Sequence, residues 1–173
     1  MFIDLLKKRR SIRKFTSEPL SDEHVRVLLT AALLSPSSRR INPWEFIVVS
    51  RESTLQRLSQ AKAGAEFLAG AAVGIVVMAD TRKTDVWVED CSIAASNLLL
   101  AAADLGLGAC WAQIRNRFGA DGRSAEEFVR EVLSLPDYMG IEAIIGAGHP
   151  AEQRDPLTDD NADFSKVRYE PND

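Results

Sequence analysis

The chain of 173 residues is 46% apolar and 27% charged, with 21 Lys plus Arg against 25 Asp plus Glu and a formal charge of -4. That length suits one globular core, and the apolar fraction excludes a disordered chain. The best candidate for a membrane span, Ala71 to Ala79 with Gly74 inside it, is half the roughly 18 residues a bilayer requires. Cys91 and Cys110 are too few for a disulfide framework or a four-ligand zinc site and read as reduced core thiols.

Within Met1 to Arg10, Phe2, Leu5, Leu6 and Arg9 recur at helical spacing, predicting a short helix that delivers cations at its C-terminal end, where they suit the helix dipole. Asp4 and the lack of an apolar central stretch set this segment apart from a secretory signal, so a cytoplasmic location is expected. Residues 1–40 carry nine Lys and Arg against four acids, leaving 12 against 21 for the remainder, so a cationic start joins an acidic body. Glu18-Pro19 breaks the chain, and Ser21 then caps a helix over 21–34 whose stripe is Val25, Leu28, Leu29, Ala32 and Leu33. Two prolines and three serines make 35–43 a loop.

Further along, the pattern predicts a strand over 44–50, a helix over 52–60, a shorter one over 65–69, and a strand over 73–79 buried on both faces. An Ala- and Leu-rich stretch from Asp85 to Leu105, apolar nearly all round and ended by Gly106, reads as a central buried helix. A strand over 108–114, an amphipathic helix over 124–135 started by Ser124, and a strand over 141–147 complete the body. The polar, acidic stretch from Ala151 to Asp173 buries little alone, so it is either frayed or laid on another surface, that of a second subunit included. The order is that of an α/β or α+β domain.

Six cations, Lys7, Lys8, Arg9, Arg10, Arg13 and Lys14, fall within eight residues. Arginine matches two phosphate oxygens at once and keeps its charge, so Arg9 to Phe15 (RRSIRKF) is either an anion site or a solvated basic helix end. Arg9 and Arg13 share a face if the helix continues through them. LGLGACW (105–111) and IIGAGHP (144–150) set glycines near strand ends, where a flat ligand can approach the backbone, though each is more often a turn or bulge. Without an adjacent acid, Cys or Ser, His149 reads as a loop residue and His24 as a surface helix residue. No spacing supports a catalytic triad, a metal site or paired carboxylates.

RRSIRKF, then SPSSRRINPWEFIVV (35–49), LGLGACWAQI (105–114), IIGAGHP, and Lys166-Val-Arg168 come in an order that resembles the nitroreductase family of flavin enzymes over nearly the whole chain. The resemblance implies an α+β fold of three layers, a mixed, mostly antiparallel sheet between helices, in one domain over 1–173. It implies a homodimer with FMN sites at the interface, 151–173 crossing to the partner and helix 85–105 in the dimer core. It implies that Arg9, Arg10 and Ser11 hold the FMN phosphate and ribityl end, joined by Lys166 and Arg168, and that Arg13 lies near N1 and O2. Pro36, Ser37, Ser38, Arg40 and Asn42 would contact FMN bound mainly by the other subunit, Arg40 and Asn42 standing where the family usually has Asn and Gln. The Gln113 N–H would meet flavin N5, Trp111 and Ala112 would lie against the ring, and Gly148 and His149 would sit near the phosphate end.

The activity implied is hydride transfer from NADH or NADPH through N5 to a small acceptor such as a nitroaromatic or quinone, in a ping-pong scheme with no catalytic side chain and no metal. A relative that dehalogenates substrates or fragments its flavin is a second possibility, although this length leaves little room for a substrate lid. A non-enzymatic nucleic-acid module using the basic start is a third; the acidic body and the lack of interleaved aromatics beyond Phe15 argue against it.

Overall fold

The computed structural model of the chain describes residues 1–170. Four strands, β1 (Trp44–Val49), β2 (Val73–Asp80), β3 (Gly108–Gln113) and β4 (Met139–Gly148), form one sheet in the order β1-β2-β4-β3. Every strand pairing is antiparallel, and the parallel contact among the described residues is a single bridge from Ser11 to Ala109. Five helices flank it: α1 (Phe2–Lys8), α2 (Asp22–Leu33), α3 (Glu52–Leu58), α4 (Trp87–Asp104) and α5 (Ala125–Leu133). The expected α+β class and three layers are what the chain adopts.

The layering follows from strand alternation. Ile75, Val77, Ala143 and Ile145 point toward α2 and α4, meeting Leu28, Ala32, Ala94 and Leu98. Val76, Met78 and Ile144 point the other way, toward Leu55 and Leu58 of α3 and Val129 of α5. β2 and β4 are buried along their whole length, which is why each reads as an almost continuous apolar run despite antiparallel pairing. α4 departs from the all-buried reading: Cys91, Ala94, Ala95, Leu98 and Ala102 lie on the sheet, while Glu89, Ile93, Ser96 and Asp104 are exposed. No helix among the described residues is long and apolar enough to cross a membrane.

Two local outcomes differ from the sequence reading. α1 ends at Lys8, because Arg9 turns to extended backbone (φ -62°, ψ 121°) and the Ile12 N–H bonds the Ala109 carbonyl at 3.0 Å. Sheet-type pairing therefore replaces a last helical turn. The acidic stretch after Pro150 is neither frayed nor carried away from its own chain at its start. The Ala151 N–H donates to the Lys14 carbonyl at 2.8 Å, the Leu157 N–H to the Lys7 carbonyl at 2.9 Å, and Lys7 pairs with Asp159 at 2.7 Å. Residues 151–159 are thus anchored on the first 14 residues of their own chain by backbone hydrogen bonds and one ion pair. Residues 160–170 are exposed, Phe164 and Tyr169 among them, and 171–173 lie outside the described residues.

Candidate active site

The free edge of β3 carries the candidate site. Along an antiparallel strand the N–H and C=O of one residue point to the same side, and successive residues alternate. The Ala109 carbonyl is taken from outside the sheet by Ile12, whereas the Ile114 N–H is bonded inward to the Glu142 carbonyl at 3.1 Å. By that parity the N–H groups of Trp111 and Gln113 point outward from the edge.

The basic segment runs beside this edge. Arg9, Ser11 and Arg13 lie close to Cys110, whose thiol is pushed up by burial while both guanidiniums and the Ser11 hydroxyl pull it down. The three share a side through the two-residue period of extended backbone, not through a helix. Arg10, grouped with them in the sequence, is turned away. Its guanidinium donates to the Asp155 carbonyl, and with Lys8, Ile12, Leu99 and Arg154 it lines a small cavity of about 90 Å³. The Arg13 side chain is exposed, while its backbone N–H is held by Glu152 Oε1 at 2.6 Å.

The segment crosses the strand ends close to two glycines, with no room for a side chain at the first and little at the second. A Cβ on Gly108 would stand 2.7 Å from Ile12 Cγ2, and one on Gly148 would stand 3.1 Å from Phe15 Cδ1. The bare backbone admits the chain's own Ile12 and Phe15 there. His149 is likewise engaged internally: its ring meets His24 edge to face at 5.7 Å, and its Nε2 lies 3.8 Å from Glu18. His24 is therefore not a free surface residue. Trp111 is half-buried and donates from Nε1 to Gln113 Oε1 at 2.8 Å, while Ala112 is buried under the α5 face.

The loop after α2 is built differently. Arg39, Arg40 and Asn42 all have left-handed backbone, with φ of 52°, 56° and 48°. Non-glycine residues seldom adopt it, and such strain gathers at functional segments. It is held by the Ser38 N–H on Asp90 Oδ1 at 2.9 Å, and by the Ser37 hydroxyl, which donates to Asn42 Oδ1 at 2.6 Å and accepts the Asn42 N–H at 3.0 Å. Pro36, Arg40 and Asn42 are exposed, and the Asn42 amide NH₂ makes no hydrogen bond among the described residues. This loop feeds β1, at the opposite edge of the sheet from β3, across three strand spacings or about 14 Å. One chain therefore does not bring 36–42 beside 9–13. Lys166 and Arg168 stand exposed on the last stretch, Lys166 beside Asp163 at 3.7 Å.

Of three buried acids that sequence reasoning did not single out, Asp80, Asp90 and Glu142, the last two serve these segments. Asp90 holds the strained loop, and Glu142 receives the Gln113 amide at 3.1 Å. The signal for Glu142 was a lone acid in an otherwise apolar and small-residue strand. Among the described residues no group of three or more His, Cys, Asp or Glu is placed to hold a metal. The row of Arg9, Ser11 and Arg13 beside outward N–H groups has the donors for a phosphate-bearing, flat, nitrogen-rich ligand.

The chain is similar to a solved FMN-dependent nitroreductase from Clostridium difficile, with 44% identity and a TM-score of 0.95 over 98% of this chain and 99% of the other. A protein of Archaeoglobus fulgidus, whose name pairs NADH dehydrogenase with NAD(P)H nitroreductase, is 34% identical over 88% of this chain and 87% of its own. The NADPH-flavin oxidoreductase of Vibrio harveyi is 31% identical over 86% of this chain and 65% of its own. The nitroreductase family model matches residues 6–65 and 59–149, which takes in the basic segment, the strained loop and all four strands. On those matches, the chain belongs to the nitroreductase family.

Proposed function

We propose that the chain is an FMN-dependent oxidoreductase that takes hydride from NADH or NADPH and delivers the electrons to a small acceptor, a nitroaromatic or a quinone, in a ping-pong scheme. The observation that carries this reading is the alignment of Arg9, Ser11 and Arg13 with the outward N–H groups of Trp111 and Gln113 along one open edge. When bound, the flavin supplies the hydride chemistry itself. Arg9 and Ser11 hold its phosphate and ribityl chain, a guanidinium and a hydroxyl being the donors that such oxygens take. Arg13 stands exposed as a cation toward the pyrimidine edge, where it favours negative charge at N1 and O2. The Gln113 N–H donates toward N5. Arg10 lies on the other side of the segment, its guanidinium donating to the Asp155 carbonyl.

The rest of the site comes from a second copy in this reading. The 36–42 loop, too far across the sheet to reach its own chain's site, offers Ser37, Ser38, Arg40 and the free Asn42 amide to the partner's. Residues 160–170, exposed with Phe164, Val167 and Tyr169, lie on the partner and carry Lys166 and Arg168 to the phosphate. The N-terminal cations do not form a continuous duplex-binding face, since Lys7 is paired with Asp159 and Arg10 is turned to the Asp155 backbone carbonyl. The test is the colour of the purified protein. Flavin absorbance that bleaches on adding NADH or NADPH under nitrogen, from a particle of dimer size, is the expected result; a colourless protein that takes up no added FMN overturns it.

A further inference from the structure

Glu142 is the lone acid in β4 and is only 4% exposed. It is the extra residue of a β-bulge, because the pairing of β2 with β4 passes from Val77↔Ala143 to Met78↔Ile141 and leaves 142 without a partner. Its carbonyl accepts the N–H groups of Ile114 and Arg115, at 3.1 and 3.2 Å, and the Gln113 Nε2 at 3.2 Å. Its carboxyl Oε1 accepts Gln113 Nε2 at 3.1 Å, and Gln113 Oε1 in turn accepts the Trp111 indole N–H at 2.8 Å. Oε2 is buried and makes no hydrogen bond of good geometry, the Ser92 hydroxyl lying nearby.

Such a group is a poor choice for stability. A buried carboxyl with one oxygen unsatisfied costs more than an apolar side chain of the same shape. Burial also pushes its pKa up, with Glu126 adding to the rise and Gln113, Arg115 and Ser92 opposing it. What the residue does achieve is to tie the last residues of an edge strand. β3 is bonded on one side only beyond Ala109, so the direction of its outward N–H groups depends on what fixes its C-terminal end.

We infer that Glu142 is a positioning residue for the flavin-facing end of β3: its carboxylate fixes the Gln113 amide and, through it, the Trp111 indole, so that the outward Gln113 N–H keeps one direction. The inference rests on the reading above that 111–113 face the flavin. Glu142 itself touches neither cofactor nor substrate in this role.

Glu142→Met keeps the volume and removes the side-chain acceptor, leaving the Gln113 amide to the backbone carbonyls of 142 and Arg115, while Glu142→Gln keeps an acceptor oxygen and removes the charge. Two readouts separate this inference from the reading it rests on. The first is the Trp111 indole N–H signal in the NMR spectrum of the protein freed of FMN, which requires no flavin chemistry; it should shift and exchange faster in Glu142→Met and stay near its original position in Glu142→Gln. The second is the rate at which NADH bleaches bound FMN, which should fall about 10- to 100-fold in Glu142→Met with KM for NADH little changed, and recover in Glu142→Gln. An unmoved indole signal in Glu142→Met overturns the inference, and so does a moved signal with an unchanged bleaching rate, which would make the tie merely structural. If no variant and no parent protein takes up FMN, the functional reading falls while the indole signal still reports whether Glu142 holds Trp111. Should Glu142→Met not fold, Glu142→Ala carries the same expectations.

Discussion

The Asp90 carboxylate accepts the backbone N–H of Ser38 at 2.9 Å, joining the first turn of α4 to a loop 52 residues earlier in the chain. Its other oxygen is buried with no partner, so the acid is retained at a solvation cost in order to hold this loop. Left-handed Arg39 and Arg40 follow directly and Asn42 comes one residue later, and a conformation of that kind persists only where its surroundings dictate it.

Asp90→Ala should therefore release the loop. Leaving the Ser38 N–H without its acceptor costs about 1 to 3 kcal/mol, and Asp90→Asn, which keeps an acceptor oxygen, should lose less than about 1 kcal/mol. Urea midpoints give the stability, and tryptic cleavage after the exposed Arg39 and Arg40 gives the local opening. Cleavage no faster in Asp90→Ala than in the parent would show that something else holds the loop.

Arg13→Ala separates charge from folding, because the backbone N–H that bonds Glu152 survives the substitution. FMN should remain partly bound, and bleaching of the bound flavin by NADH or NADPH under nitrogen should slow about 10- to 100-fold, in line with loss of one electrostatic donor. Arg13→Lys should fall between, since it keeps a cation without the planar fork. Unchanged reductive kinetics in Arg13→Ala would remove the role given to it beside N1.

Much of this architecture was legible in the sequence for simple reasons. β2 is eight buried residues in a row, Ser21 and Ser124 accept the N–H groups of His24 and Glu127 as caps do, and the 3.6-residue stripe of α5 lands on the sheet while that of α2 lands on α4. What stayed hidden was competition between distant segments. Nothing local says that Arg9 leaves a helix because Ile12 has an Ala109 carbonyl to bond, or that Arg10 points away from Arg9 toward Asp155. The resemblance grouped Arg9, Arg10 and Ser11; the alternation of extended backbone divides them. Glu142 and Asp90 escaped notice because a lone buried acid has no periodic signature, and its purpose lies in the partner it finds in space.

Gly108 tests how the basic segment is seated. Its missing Cβ leaves the room that Ile12 Cγ2 fills, at 2.7 Å from where that atom would stand. Gly108→Ala should lose about 1 to 3 kcal/mol as the segment is lifted off the strand end. Adding Ile12→Ala removes Cγ2, the methyl nearest the clash, so the double variant should be more stable than the two single losses added together would make it. Strict additivity of the urea midpoints would mean that the two residues do not meet.

The acid limb of stability should trace to Asp80. Its carboxylate accepts Arg82 Nε at 2.8 Å and Nη2 at 2.7 Å, with the Arg82 N–H at 3.0 Å, and these bonds hold its pKa down from 3.8 to about 2. Arg82 is itself seated on the Tyr138 ring, 3.7 Å from the centroid. A depressed folded-state pKa means that the unfolded chain takes up the proton first as pH falls. The stabilisation is thus fully present above the unfolded value near 3.8 and is lost as pH falls toward about 2. Between the parent and Asp80→Asn, the difference in urea midpoint should be largest above about pH 5 and shrink steadily below about pH 4. A difference that holds constant down to the acid end would assign the effect to packing around Tyr138 and not to the charge of Asp80.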